Sequence, residues 1–329
     1  MKKKKIVCIG GGTGLSTLLR GLKKYEGIEI SAVVTMMDDG GSSGRLIEEF
    51  GTLPPGDIRN CILALAEKED IVTKIFKYRF PVKMRPPQVG GHSLGNLLMV
   101  ALADIYGGFD KAISKISEIV SIKGKVLPIT LQPTQLVAVL EDGTIKYGET
   151  SISSSKKPIK KLLFNPKKIK HYEEVISEIK QSDLIVIGPG SLFTSVLPNL
   201  IIKEVTKAIS TSNAEKVYVC NIMTQPGETD NFTAEKHIET IYEHTKNKIK
   251  FDYVIINTSK IPKKLYEKYK KQNSYPVEVK DMTYLQQLVT KAVIKEKLLN
   301  NEFDPSTKFA RHDPNKLASA IIKILRDKK

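Results

Sequence analysis

The run Gly10-Gly11-Gly12-Thr13-Gly14-Leu15-Ser16 constrains the fold more than any other feature of the chain. It follows the apolar run Ile6-Val7-Cys8-Ile9 and precedes Leu18, Leu19 and Leu22, so the segment reads as strand, glycine turn and helix. Glycines let backbone approach an anion, and the helix that follows aims free N–H groups and about half a positive charge at it. The pattern departs from both standard fingerprints. G-x-G-x-x-G started at Gly10 meets Leu15 where the third glycine belongs, and no Gly-Lys-Ser/Thr ending supplies a P-loop lysine. A phosphate or nucleotide loop is the first reading, and a tight structural turn is the alternative.

Strand and helix signals alternate along the chain. Apolar strands are expected at Ile6–Ile9, Ile30–Thr35, Leu184–Ile187, Val217–Cys220 and Val254–Asn257, with helices at Leu97–Ile105, Val175–Ile179 and Ile201–Ile209 among others. This alternation predicts an α/β fold with a doubly wound, mainly parallel, Rossmann-like sheet. The middle differs. Leu136-Val137-Ala138-Val139-Leu140, Asp142-Gly143 and Thr144-Ile145-Lys146-Tyr147 make a hairpin signal, so about residues 124–165 are expected to form a small antiparallel insert within one domain spanning 1–329. Lys316–Leu325 reads as an amphipathic helix capped by Asp313, with Pro314 in its first turn.

The formal charge is +16, which in general suggests nucleic acid or membrane as a partner. Here the excess is mostly lysine, spread over Lys156-Lys157, Lys160-Lys161, Lys167-Lys168 and Lys263-Lys264, without the arginine and aromatic interleaving of a stacking platform. Solvated surface that draws anionic metabolites inward is the reading adopted, and nucleic acid is not expected as a partner. Only four apolar residues separate Lys2-Lys3-Lys4-Lys5 from the glycines, too few for a secretory leader, and no apolar run approaches the roughly 18 residues of a membrane helix. Cys8, Cys61 and Cys220 are far apart. A reduced, cytoplasmic protein with no membrane contact is expected, and a homo-oligomer is left open.

Several polar, glycine-containing segments follow strands, where open α/β sheets bind ligands. Asp38-Asp39-Gly40-Gly41-Ser42-Ser43-Gly44-Arg45 offers an acid for a ribose hydroxyl, or two carboxylates to hold Mg²⁺ against a diphosphate; a solvated turn is the bland alternative. Asp57 stands at a helix start with Arg59 and Asn60, as ligand group or N-cap. In Gly90-Gly91-His92-Ser93-Leu94-Gly95-Asn96, Ser93 is the expected cap, and His92 is a phosphate ligand, a general acid or a structural residue. The histidines show no metal-ligand spacing. Gly188-Pro189-Gly190-Ser191-Leu192-Phe193-Thr194-Ser195 repeats the strand–glycine turn–helix pattern as a second anion cradle. Asn221-Ile222-Met223-Thr224-Gln225-Pro226-Gly227-Glu228-Thr229 presents amides and hydroxyls to a sugar or base, and Arg311 is a phosphate clamp or a surface ion-pair residue.

Taken together, Ile9–Ser16, Asp38–Arg45, Pro54–Asn60, Gly91–Asn96, Gly188–Ser195 and Met223–Thr229 resemble, in order, the strings of the bacterial gluconeogenesis-factor family. That family is the YvcK-like branch of the CofD-like superfamily, and the resemblance covers roughly residues 5 to 325. It implies a cytosolic regulatory protein of carbon metabolism and cell shape that binds UDP-sugars such as UDP-N-acetylglucosamine, with no established reaction and no established cofactor. The implied ligand contacts run over Gly10, Gly11, Gly12, Thr13, Gly14, Asp38, Asp39, Gly40, Asp57, Asn60, His92, Asn96, Gly188, Gly190, Ser191, Asn221, Thr224, Gln225 and Arg311. The related CofD branch moves phospholactate onto a deazaflavin, with acidic residues after the second strand near acceptor and metal. Asp38 and Asp39 match that position, which makes a Mg²⁺-dependent phospho-group transferase the alternative. The chain departs from the transferase pattern at Gly40–Gly44 and Pro54–Asn60, and it carries Met36-Met37 where smaller or polar residues are expected.

Overall fold

The computed structural model describes residues 3–82, 89–300 and 309–327; Lys2 of the N-terminal lysine run lies outside them. Seven parallel strands form the main sheet: β1 (Lys4–Gly10), β2 (Ile28–Val34), β3 (Lys125–Pro128), β7 (Leu184–Ile187), β8 (Glu215–Val219), β9 (Tyr253–Asn257) and β10 (Ala292–Glu296). Their spatial order is β10-β9-β8-β7-β1-β2-β3. The chain therefore starts in the middle of the sheet, builds one half, crosses back and builds the other. β1 and β7 are covered on both faces, and their side chains from Ile6 to Ile9 and Leu184 to Ile187 are almost wholly buried. That is why they read as unbroken apolar runs rather than as alternation.

Helix α1 (Gly12–Leu22) connects β1 to β2, and α10 (Lys203–Thr211) connects β7 to β8. Right-handed crossovers that leave the centre in opposite directions put their helices on opposite faces. On the α1 face lie α3 (Gly56–Leu65) and the C-terminal α14 (Pro314–Asp327); α8 (Glu173–Gln181) packs beside α10. Helices α2 (Gly41–Phe50), α4 (Glu69–Lys77), α5 (Leu94–Tyr106) and α6 (Phe109–Ile119) fill the excursion from β2 to β3.

The hairpin forms as its Asp-Gly signal predicts. β4 (Gln135–Leu140) pairs antiparallel with β5 (Ile145–Tyr147) and with β6 (Ile159–Asn165), and the short α7 (Glu149–Ser153) sits between β5 and β6. The insert is shorter than expected. β3 pairs parallel with β2 at the margin of the main sheet, so the antiparallel unit begins at Gln135 and not near residue 124. All three cysteines are free and buried, and no helix of the described residues is long and apolar enough to cross a membrane.

Asp313 accepts from the N–H groups of Asn315 and Lys316 at 2.9 and 3.0 Å and so caps α14, which packs on α1. Asp313→Ala is expected to lower the urea unfolding midpoint by the equivalent of about 1 kcal/mol with an unchanged slope; an unchanged midpoint would show that the cap carries no stability.

Candidate functional site

The chain leaves β1 toward β2 and β7 toward β8, on opposite sides of the β1–β7 pair. Loops diverge at such a switch point and leave a crevice at the carboxyl ends of the strands. Two glycine turns enter it, Gly10–Gly12 after β1 and Gly188–Ser191 after β7. They meet backbone to backbone. A Cβ at Gly14 would sit 2.3 Å from the Pro189 carbonyl oxygen, so α1 begins this close to the second turn only because residue 14 is glycine. A Cβ at Gly11 would meet Thr35 Cγ2 at 2.4 Å and Asp57 Oδ2 at 2.8 Å. Helix α1 has no side-chain cap. Asp57 accepts the Gly12 N–H, while Thr13 and Gly14, next in the first turn, line the crevice.

The crevice has two lobes that share Thr13, Gly14, Gly190, Ser191, Gln225 and Pro226. One, of about 370 Å³, extends past Asn221 and Thr224 to Tyr269, Phe309, Arg311 and His312. The other, of about 470 Å³, runs past Gly11 and Gly12 to Glu149, Ser153, Thr194, Ser195 and Glu228. The first therefore offers a guanidinium and aromatic surface, and the second carboxyls and hydroxyls. In the first lobe Arg311 stacks 5.5 Å from the Phe309 ring centre, and the Tyr269 hydroxyl accepts the Ala310 N–H at 2.8 Å. His312 is buried and bonded to the Cys220 backbone; burial drives its pKa down to about 4 and leaves it neutral, with Nε2 unpartnered among the described residues.

Burial sets the chemistry of the second lobe. Behind the Gly11–Gly12 wall of the lobe it pushes the Asp57 carboxyl up to about 7, with the Asp38 carboxylate adding and the Gly12 N–H and Arg59 opposing. Glu149 is pushed up to about 8 by burial, then by Asp57 and Asp38, against a hydrogen bond shared with Thr194. Burial also raises Glu228, which accepts from Ser153 Oγ at 3.0 Å and from Ser191 Oγ. Near neutral pH Glu149 therefore mostly holds its proton and Asp57 holds one part of the time, so the lobe and its wall are less anionic than their composition suggests.

The sequence-predicted residues fall into three groups. Gly11, Gly12, Thr13, Gly14, Gly190, Ser191, Asn221, Thr224, Gln225 and Arg311 line the crevice. Within it Asn221 is a brace: its Oδ1 accepts the Gly190 N–H at 3.2 Å and its Nδ2 donates to the Gly190 carbonyl at 2.8 Å. Thr224 Oγ1 likewise accepts the Tyr275 N–H at 2.9 Å, whereas Gln225 Oε1 has no partner among the described residues. A second group frames the site. The Gly10 carbonyl accepts from Thr35, Gly188 donates to Ile9, and Asp38 accepts from the Gly40 N–H at 3.0 Å and Ser43 Oγ at 2.7 Å. Asp39 accepts from the N–H and hydroxyl of Thr150 at 2.9 and 2.7 Å, and so ties α7 to the loop after β2.

The third group lies apart from the crevice. His92 is fully enclosed, with Nδ1 3.0 Å from the Ser42 hydroxyl, and burial lowers its pKa. Asn96 donates to Ser42 Oγ at 3.0 Å and accepts from the buried Arg59 at 2.5 Å, and Arg59 also donates to Asn60 Oδ1 at 3.1 Å. This polar knot ties α2, α3 and α5 together. Sequence reading missed Glu149, Ser153, Tyr269 and Phe309. Glu228 stood in a recognised string without a role. Among the described residues no three acidic, histidine or cysteine side chains group closely enough to hold a metal by themselves.

The 2-phospho-L-lactate transferase CofD family model matches residues 6–299. The gluconeogenesis factor of Bacillus subtilis (strain 168) is 40% identical over 326 residues, 99% of each chain. That of Halalkalibacterium halodurans is 42% identical over 322 residues, covering 98% of this chain and 97% of the relative. A crystal structure of a UPF0052 family member from Bacillus halodurans superimposes with a TM-score of 0.90 at 42% identity, covering 98% of this chain and 100% of that one.

The raised carboxyls make stability depend on pH. Asp57 and Glu149 bind protons more tightly folded than unfolded, so their contribution is complete below about pH 4 and is lost as pH rises through about 7 and 8. Asp57→Asn and Glu149→Gln are expected to raise Tm by a few degrees near pH 9 and to change it little near pH 5. Thermal unfolding across that range measures this, and an offset independent of pH would contradict the assignment.

Proposed function

The chain belongs to the CofD family, beside the bacterial gluconeogenesis factors, and from that we propose that it binds a UDP-sugar of the UDP-N-acetylglucosamine type as a cytosolic regulator of carbon metabolism and cell-wall growth. The observation that carries the reading is the pair of glycine turns back to back, with an arginine-bearing lobe on one side and a hydroxyl- and carboxyl-bearing lobe on the other. The diphosphate lies on the N–H groups of Thr13, Gly14 and Ser191, beside the Gly190 peptide that Asn221 braces. Arg311 clamps it with paired N–H donors. The base takes the lobe of Tyr269 and Phe309, and the sugar hydroxyls meet Gln225, Glu149 and Glu228. Protonation of Glu149, and partial protonation of Asp57, reduces the repulsion that two carboxylates would otherwise exert on a diphosphate. The family relationship and the lobe volumes, which lie in the range of small-molecule sites, support this reading.

UDP-N-acetylglucosamine at about 100 times its dissociation constant should stabilise the fold by about 2.7 kcal/mol, and GDP, NAD and Mg²⁺ serve as controls. Arg311→Ala, at the crevice mouth, should fold normally and bind at least about tenfold more weakly. Equal affinity in wild type and variant, or no Tm shift with the UDP-sugar, would overturn the assignment.

One observation favours a second reading, phospho-group transfer from a nucleotide-activated donor. Asp57 and Glu149 titrate near neutrality beside the phosphate cradle, where a general base for an acceptor hydroxyl belongs. Mg²⁺ needs only one or two carboxylates, with water and phosphate oxygens completing its shell. Asp57 and Asp38 fit that requirement, and the ion would neutralise phosphate charge. Mg²⁺-dependent release of a nucleoside monophosphate, lost in Asp57→Asn, is the expected signature. No turnover across a broad panel of acceptor alcohols would remove the reading.

A further inference from the structure

The small antiparallel sheet has an open edge. The Leu136 carbonyl and the Leu140 N–H bond to Gly148 and Thr144 on the β5 side, so Val137 and Val139 turn their backbone groups to β6. They face Leu163 and Lys161, which leaves the N–H and C=O groups of Leu162 and Phe164 directed away from β4. No further strand pairs with β6 among the described residues.

A groove of about 590 Å³ runs along this edge. Every residue from Lys160 to Phe164 lines it, so the wall is the strand edge itself rather than one face of the sheet. Ile201, His244 and Lys246 line the opposite side, and Val139 and Leu163 add apolar surface. Lys160, Lys161, Lys167 and Lys246 are exposed and make no ion pair among the described residues. Glu243, the acid of the groove, sits 3.7 Å from Lys236. Residues 141–170 carry eight lysines against three acids.

We propose that the β6 edge docks an extended, acidic segment of a partner protein, which adds as a fourth strand to the small sheet. Backbone pairing at a free edge supplies the affinity, and alternate side chains supply the specificity. The lysines choose the occupant. They repel a second copy of this chain, whose matching edge carries the same charges, and they attract acidic side chains along the strand. A nucleic acid shares the charge but has no N–H and C=O row to pair with the edge. The groove moreover contains no arginine, and its one phenyl ring, Phe164, is buried.

The groove is joined to the ligand crevice at both walls. α7, which packs on β4 and β5 and precedes β6 in the chain, carries Glu149 and Ser153 into the crevice. Across the groove, His244 meets Phe193 edge-on at 5.8 Å, in the turn after Ser191. The docking claim stands whatever the crevice binds.

The test is fluorescence anisotropy of a labelled peptide of about seven residues, matching the length of β6, that alternates Glu with Val or Ile and is titrated with the full chain at low salt. Saturable binding is expected. It should weaken at least about tenfold in a Lys160→Glu, Lys161→Glu, Lys167→Glu variant of unchanged Tm, and by a similar factor when alternate peptide amides on the pairing side are N-methylated. Absence of saturable binding would overturn the proposal. So would equal binding of the N-methylated peptide, which would leave charge alone at work, or full competition by a single-stranded oligonucleotide of equal charge, which would mark a general polyanion surface. None of these arms contains a UDP-sugar, so their failure is separate from failure of the UDP-sugar reading.

Discussion

The contact between Gly14 and the Pro189 carbonyl is the constraint on which the rest of the site depends. β1 and β7 pair in register from Ile6 with Leu184 to Ile9 with Ile187, so their turns emerge side by side at the centre of the sheet. With no side chain at residue 14, the start of α1 closes onto the second turn. Two sets of backbone donors then border one crevice, and Asn221 holds the second set by bonding Gly190 through both ends of its amide. The crevice is a property of packed backbone.

Around that fixed centre the polar side chains divide by what burial does to them. Asp57 and Glu149 are carboxyls whose charge the protein suppresses, and His312 is an imidazole kept neutral for the same reason. Arg311 stays exposed at the mouth. Under the proposed reading, a diphosphate would meet Arg311, oriented N–H groups and acids whose charge burial reduces, a balance that favours anion binding. The insert takes part through α7, which Asp39 anchors by accepting from Thr150.

The central strands were legible because both their faces are buried, and Leu184–Ile187 was bounded to the residue. The margins were not. β3 is four residues ending in proline, and β10 mixes Lys295 and Glu296 into its exposed end, so neither carries the pattern of a buried strand. The same limit applies to the site. Glycine turns announce themselves locally, but Glu149 starts α7, in the connection between two strands of the separate small sheet, and reaches the crevice only through tertiary packing. His92 and Asn96 look like ligand groups in sequence because buried polar knots and binding sites draw on the same residue types. Their partners, Ser42 and Arg59, lie dozens of residues away.

The most direct test is a crystal structure of the protein with UDP-N-acetylglucosamine. The account predicts diphosphate density across the two turns, within hydrogen-bonding distance of the N–H groups of Thr13, Gly14 and Ser191, with Arg311 closing over it. Diphosphate density elsewhere on the molecule, or a ligand that leaves both glycine turns untouched, would contradict it.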